Sequence, residues 1–194
     1  MQNYPDGTSI SLINFDAELL AEVVEKYDKI NVIIPLKHEE EININFNLKG
    51  IYKSFAYDGD VVSHSVNSHI RLLTKEDKLY FPEGIQANRS NLSDAFAEFV
   101  LTGKGEIFGY FDEEGNLLGY LSCCREIDNI WDVVYIYVLP QHRSHGIGTA
   151  LAAQYLIAKS NQGQIPYYSG VTNPASESAA LKAGFKLCGL RYYY

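Results

Sequence analysis

The segment that most constrains this chain covers residues 138–151, with the sequence VLPQHRSHGIGTAL. Before it, the β-branched and aromatic run Ile130–Leu139 predicts a strand. After it, apolar residues at helical spacing predict a helix. Between them, Gly146 and Gly148 let the backbone approach a ligand with no Cβ in the way, and the first helical N–H groups have no internal partner. The segment therefore predicts an anion cradle suited to phosphate, with Arg143 beside it.

Two familiar phosphate-binding patterns do not fit this loop. The dinucleotide fingerprint needs a third glycine where this chain has Leu151, and an acidic residue for the ribose that the next predicted strand, Ile165–Val171, does not carry. A nucleoside-triphosphate loop needs a Gly-Lys-Ser/Thr sequence, which is absent here. A purely structural loop would explain the two glycines, but not the arginine three residues before the first of them.

The order of elements around the loop predicts a mixed α/β sheet. Antiparallel strands come first and a β-α-β-α-β pattern follows, which places helices on both faces of the sheet. The predicted strands are Ile30–Leu36, Ile42–Leu48, Ile70–Leu73, Glu106–Phe111, Leu117–Arg125, Ile130–Leu139, Ile165–Val171 and Phe185–Tyr194. Helices are predicted over Asp16–Tyr27, from Thr74, from Asn91 or Ser93 to Leu101, from the glycine loop to about Lys159, and over Ser176–Ala183.

Two motifs in this part of the chain resemble those of one family. The sequence Arg143-Ser-His-Gly-Ile-Gly148 resembles the Gln/Arg-x-x-Gly-x-Gly/Ala motif of the GNAT N-acetyltransferase superfamily, in which the loop binds the pyrophosphate of acetyl-coenzyme A. Downstream, Asn173-x-x-Ser176 and Lys182-Ala-Gly184-Phe185 resemble the Asn-x-x-Ala/Ser and Lys-x-Gly-Phe segment of the same family, at matching spacing. The resemblance covers roughly His69–Tyr194, and it implies the GNAT acyl-CoA acyltransferase fold.

The resemblance implies an acetyl-coenzyme A site without a metal ion. The strand before the loop would separate from its neighbour, and the pantetheine arm would lie along it like an extra strand. Strand backbone groups would bond the acetyl carbonyl and the pantetheine, loop amides would hold the pyrophosphate, and a third group would lie near the thiol. The strand residues are Ile136, Tyr137 and Val138. The loop amides are those of Ser144, His145, Gly146, Ile147, Gly148 and Thr149, with the charged fork of Arg143 beside them. The residues near the thiol are Asn173 and Ser176.

Acetyl transfer to an amine also needs a base, because a free amine of the lysine type is mostly protonated at pH 7. Asp132 lies six residues before Val138, where many members of the family carry a catalytic glutamate. Its apolar neighbours Trp131 and Val133 would partly desolvate it. The alternative is an Asp132 that faces water and merely begins a strand. The general acid is left unnamed, because the position of the family's usual tyrosine is Ala180.

We therefore expect an acetyl-coenzyme A-dependent N-acetyltransferase in which a primary amine attacks the thioester directly. Two alternatives stay open: a non-catalytic module that binds acyl-coenzyme A, and an acyltransferase that uses a longer acyl chain. The acceptor is expected to be the amine of a small molecule or a peptide, and a homodimer is left open.

Residues 1–67 precede the resemblance, and they are expected to form an N-terminal extension ahead of an acetyltransferase domain at 68–194. This extension, or a second subunit, is expected to cover the edge of the last strand. The net charge of −8 argues against a nucleic-acid partner. No apolar run approaches the roughly 18 residues of a membrane span, and no secretory signal is visible, so a cytoplasmic location is expected.

Overall fold

The computed structural model describes residues 3–4, 7–11, 30–35, 50–57, 59, 66–80, 96–127 and 129–193. The chain divides into two compact units. The larger unit contains Ala56–Tyr168 and Pro174–Lys186, and the smaller contains Met1–Phe55, Ser169–Asn173 and Leu187–Tyr194. The helix predicted over Asp16–Tyr27 and the strand predicted over Ile42–Leu48 lie outside the described residues.

The predicted strands that fall within the described residues are found, with modest shifts of their ends, and so are the two helices after the glycine loop. The start predicted at Asn91 or Ser93 lies outside the described residues, and the described part of that helix is π-helical. The strands are β1 Asn3–Tyr4, β2 Gly7–Ser11, β3 Ile30–Pro35, β4 Gly50–Ala56, β5 Ile70–Leu72, β6 Gly105–Phe111, β7 Leu117–Ile127, β8 Ile130–Val138, β9 Ile165–Val171 and β10 Lys186–Tyr193. The helices are α1 Ile147–Asn161 and α2 Pro174–Ala183, with short 3₁₀ segments at Lys75–Tyr80 and Pro140–His142 and a π-helical segment at Phe96–Leu101. Strands β1, β2 and β4 were not predicted.

In the larger unit, β5, β6, β7 and β8 form an antiparallel series, and the first residues of β9 then pair with β8 in parallel. Helix α1 packs across β6, β7 and β8 and also contacts α2. Tyr155 of α1 meets Phe108 edge-on, with 6.1 Å between the ring centres. On the other face, Val100 packs against a cluster that contains Ile107 and Tyr137. Because Ile107 and Phe108 are successive strand residues that point to opposite faces, helices cover both faces, as predicted.

The smaller unit surrounds the last strand with strands from the N-terminal block. Its strand order is β1-β2-β3-β10-β4, with the end of β9 beside β4. Strand β10 is antiparallel to β3, and Gly189 lies opposite Pro35 and Tyr193 opposite Asn31. The prediction that the N-terminal block covers the edge of the last strand is therefore confirmed. No helix among the described residues is long and apolar enough to cross a membrane.

The 3₁₀ segment Lys75–Tyr80 is capped at its start by the side chain of Asp77, whose N–H also makes the first backbone bond of the segment. The Thr74 N–H donates to the Asp77 carboxylate at 2.6 Å, and the Asp77 N–H donates to the Thr74 carbonyl at 3.1 Å. Arg71 on β5 pairs with the same carboxylate through both terminal nitrogens, at 2.9 and 2.7 Å. Asp77 is buried. The hydrogen bond from Arg71, above all, holds the pKa of Asp77 below its ordinary value of 3.8.

We expect Asp77→Asn to lower the free energy of unfolding at pH 7 by about 1–3 kcal/mol, because it removes a charge-assisted pair at a buried position. The folded chain has the lower pKa at this residue, so the contribution of the carboxylate is present above about pH 4 and is lost as the pH falls through the folded value. Urea unfolding of both proteins at pH 7 and pH 3 measures the effect. The difference should shrink at pH 3, and an equal difference at both values would contradict the assignment.

Candidate active site

Strand β8 contains a β-bulge. Ser122 and Cys123 are consecutive on β7, but their partners on β8 are Tyr135 and Val133, so Val134 is an extra residue. Such a bulge shifts the alternation of side chains along the strand by one position. The run of β-branched and aromatic residues in β8 gives no signal of it, and sequence reasoning did not find it.

The bulge places Asp132 on the same face of the sheet as Tyr135 and Tyr137. Trp131 points towards α1, where the Nζ of Lys159 lies 3.4 Å from the centre of the indole ring. Asp132 therefore points to the opposite face. Tyr137 packs on that opposite face, and Tyr135 lies parallel to it with 6.5 Å between ring centres. An unbroken strand would have put Asp132 and Tyr135 on opposite faces.

The pairing between β8 and β9 stops early. It begins with Ile130 opposite Ile165 and ends with Asp132 opposite Tyr167. Strand β8 continues to Val138, and within the described residues its later part has no paired partner on β9. We call the side of residues 133–138 that faces away from β7 the open edge. The family resemblance implied such a separation of the strand before the loop. Asp132 stands at the last pair with 9% of its surface exposed, so the alternative of a solvent-facing Asp132 is wrong.

Near the loop, the residues that direct their backbone N–H and carbonyl groups to the open edge are Ile136 and Val138. The Leu139 N–H donates to the Leu118 carbonyl on β7 at 2.9 Å. In an antiparallel pair, residues that direct their backbone groups to the partner strand alternate with residues that direct them away. Tyr137 therefore points its N–H and carbonyl towards β7, whereas Ile136 and Val138 point theirs to the open edge. The resemblance implied that backbone groups of Tyr137 bond the acetyl donor, but this alternation directs those groups to β7 instead.

Arg143 connects the loop to the end of β8. Its Nε donates to the Val138 carbonyl at 3.0 Å, and the centre of its guanidinium lies 5.7 Å from the centre of the Tyr137 ring. The side chain is exposed at the protein surface. Arg143 was expected only as a charged fork beside a phosphate, and in the structure its Nε also fixes the start of the loop against the strand.

The loop enters α1 through left-handed backbone. Ser144 has φ +64° and Gly146, the N-cap of α1, has φ +82°. This conformation costs a residue with a Cβ about 1–2 kcal/mol, so Ser144 carries strain while Gly146 does not. A Cβ on Gly146 would meet no described atom within 4 Å, so the space in front of it is open. We call residues 144–149 the cradle.

The cradle also contains the first N–H groups of α1. The first bond within the helix runs from the Ala150 N–H to the Gly146 carbonyl at 2.9 Å, so the preceding amides have no carbonyl of the helix to bond. Of the cradle side chains, Ile147 is buried, Thr149 is half-buried and His145 is exposed. The amides are therefore the groups that this turn offers to an anion.

Gly148 has a different environment from Gly146. A Cβ on Gly148 would lie 3.9 Å from side-chain atoms of Ile136, Val138 and Ala179, which is ordinary van der Waals contact. A Cβ therefore fits at Gly148, and it would face β8 and α2 rather than the open space in front of Gly146.

The first turn of α2 carries Ser176, whose hydroxyl oxygen lies 2.7 Å from that of Tyr168. Tyr168 is buried and meets Phe185 edge-on, with 5.9 Å between ring centres. Burial raises the pKa of Tyr168, against the opposing effect of the hydrogen bond with Ser176. Asn173 directly precedes α2, is exposed, and belongs to the smaller unit.

Comparison with known proteins gives one family. Residues 71–185 match the sequence profile of the acetyltransferase (GNAT) family, whereas no curated protein matches the chain. Among solved structures, an acetyltransferase of the GNAT family from Colwellia psychrerythraea is similar, with 16% identity and a TM-score of 0.63. The match covers 84% of this chain and 65% of that one, so this chain spans just under two thirds of that protein.

Two further structures share the fold. One is described as an acetyltransferase of the GNAT family from Novosphingobium aromaticivorans, with 15% identity, a TM-score of 0.54, and coverage of 86% of this chain and 73% of that one. The other is a GCN5-related N-acetyltransferase-like protein from Streptococcus suis, with 14% identity, a TM-score of 0.53, and coverage of 96% and 80%. Since the family profile spans more than half of its length, this chain belongs to the GNAT acetyltransferase family.

Proposed function

We propose that this protein transfers the acetyl group of acetyl-coenzyme A to a primary amine by direct attack of the amine on the thioester. The observation that carries the proposal is the open edge of β8, which begins beside Asp132 and leads through the loop to the cradle at the start of α1. Membership of an acetyltransferase family supports acyl transfer from coenzyme A. The amine acceptor and the direct attack are our inference from the groups that line this path.

The cradle fits the pyrophosphate of coenzyme A. Its amides stand at the positive end of the α1 dipole, and the space in front of Gly146 is open. The Nε of Arg143 is bonded to the Val138 carbonyl, which leaves the two terminal nitrogens of the guanidinium as the groups that would engage a phosphate. The exposed His145 would lie beside the same anion.

The open edge would hold the pantetheine arm and the acetyl group. The N–H groups of Ile136 and Val138 and the carbonyl of Ile136 point to this side and would bond an extended arm much as they would bond a neighbouring strand, whereas the Val138 carbonyl is already bonded to Arg143. Acetyl-coenzyme A supplies an acetyl group activated as a thioester. A backbone N–H aimed at its carbonyl oxygen would stabilise the negative charge that develops there during attack.

Asp132 would remove the proton of the attacking amine. It stands where the open edge begins, on the face that also carries Tyr135 and Tyr137. Because an amine must be neutral to attack, a carboxylate that takes its proton, directly or through water, supplies the missing step. The donor that protonates the leaving thiolate is not assigned, because position 180 is a fully buried alanine.

The same alanine favours a second candidate function, a module that binds acyl-coenzyme A without catalysis. Release of free thiol from acetyl-coenzyme A, measured with small amines, peptide N-termini and lysine peptides, separates the two. Our proposal predicts release that depends on the amine. Tight binding of coenzyme A with no release from any amine would favour the module. Absence of coenzyme A binding would contradict both candidate functions. Faster thiol release from longer acyl-coenzyme A thioesters would show that the transferred group is a longer acyl chain and not acetyl.

We expect Gly146→Glu to weaken coenzyme A binding by about 100-fold or more, because a side chain and a negative charge would enter the cradle. Calorimetric titration with coenzyme A measures the loss. Gly146→Ala is the control for backbone strain, since it shares the positive φ but adds no charge. Gly148→Ala is the matched control at the second glycine, and it should bind within a few-fold of the wild type. Unchanged affinity in Gly146→Glu would refute the phosphate site.

We expect Asp132→Asn to lower kcat by about 100-fold or more while the Kd for coenzyme A stays within about twofold, because the amide cannot accept the amine proton. Asp112→Asn, the same change in the loop between β6 and β7, is the control. Equal turnover of Asp132→Asn and the wild type at every pH would exclude Asp132 as the base.

A further inference from the structure

Tyr155 of α1 reaches the end of the pairing between β8 and β9. Its hydroxyl donates to the Trp131 carbonyl on β8. It accepts a hydrogen bond from the Tyr167 N–H on β9 at 3.3 Å, and the Tyr167 carbonyl oxygen is also 3.3 Å away. Trp131 precedes Asp132, and Tyr167 is the residue opposite Asp132 in the last pair. One hydroxyl group therefore bonds to both strands at the point where they separate.

The ring of Tyr155 is held firmly enough to fix its hydroxyl. The side chain is fully buried, stacks on Phe185 with 6.2 Å between ring centres and 10° between ring planes, and meets Phe108 edge-on. Burial, above all, raises the pKa of Tyr155, so the hydroxyl keeps the proton that it donates. Packing sets the position of the ring, and the hydrogen bonds transmit that position to the two strands.

A second residue of α1 holds Trp131 one turn further along the helix. The Nζ of Lys159 lies over the indole ring of Trp131 and 2.7 Å from the Oε2 of Glu106. Lys159 is fully buried, where an unpaired ammonium group would be costly, so its place between the ring and the carboxylate is closely defined. The backbone and the ring of the residue before Asp132 are thus both held by α1.

The same helix begins at the cradle. From Ile147 to Tyr155, α1 rises about 12 Å at roughly 1.5 Å per residue. A single rigid element therefore connects the amides that would hold the pyrophosphate to the backbone that carries Asp132. A shift of β8 or β9 relative to α1 at their last pair would change the distance between the cradle and Asp132.

We propose that Tyr155 is a positioning residue for acetyl transfer: its hydroxyl fixes the point at which β8 and β9 separate and thereby sets Asp132 relative to the cradle. This inference rests on the proposed function, in which Asp132 is the base and the open edge receives the acetyl donor. Without the hydroxyl, the Trp131 carbonyl and the Tyr167 N–H lose a shared partner, and the last pair is free to shift.

The test is a double-mutant cycle between Tyr155→Phe and Asp132→Asn. Tyr155→Phe keeps the aromatic ring and removes only the hydroxyl. Tyr155→Phe alone should lower kcat by about tenfold or more, since small displacements of a catalytic group are costly. In the Asp132→Asn background, the same change should alter kcat by less than about twofold, because the residue acts through Asp132. An equal loss in both backgrounds, or no loss in either, overturns the proposal.

Phe108→Leu is the matched control, because it loosens the packing around the Tyr155 ring and leaves the hydroxyl in place. If it lowers kcat as much as Tyr155→Phe at a similar Tm, the role of Tyr155 is merely structural and the proposal is wrong. Amide hydrogen exchange gives a readout that does not need turnover. Exchange at Tyr167 should quicken in Tyr155→Phe, and unchanged exchange overturns the proposal. A wild type that releases no thiol with any amine refutes the proposed function, and exchange at Tyr167 then decides the role of the hydroxyl.

Discussion

The parallel pairing of β8 with β9 lasts for only a few residues, and the position of its last pair determines the other features of the site. Up to Asp132, the backbone groups of β8 are shared between β7 on one side and β9 on the other. Beyond it, one side of the strand has no β9 partner within the described residues. A polar edge of this kind favours an extended ligand that can bond it as a strand would. The loop that follows leads the same backbone to the amides of the cradle.

Two local features, one in β8 and one at the start of α1, shape this edge and the cradle for a ligand. The extra residue at Val134 brings Asp132 onto the face of Tyr135, which strict alternation would have prevented. The left-handed backbone at Gly146 ends the loop and begins α1, and a Cβ at this position would face open space. The first feature sets the direction of a side chain and the second sets the direction of the backbone. Both lie between the last pair of β8 with β9 and the first turn of α1.

The sequence predicted what depends on neighbouring residues. The strand, loop and helix at residues 138–151 follow from β-branched residues, glycine and helical periodicity, and the mixed sheet follows from the order of such elements. The bulge at Val134 was missed because any residue of a β-rich run can be the extra one. The contacts of Tyr155 were missed because they join a helix side chain to the backbone of two separate strands, 24 and 12 residues away in the chain. The place of β4 beside β10 depends likewise on pairing across more than a hundred residues, which periodicity does not encode.

Amide hydrogen exchange with and without saturating coenzyme A tests most directly whether the open edge and the cradle form one binding site. The account predicts that exchange slows at Ile136, at Val138 and across residues 144–149 when coenzyme A binds. Tyr137 should exchange slowly even without the ligand, because its N–H already points to β7. Binding that leaves the amides of both the open edge and the cradle unchanged would contradict the account.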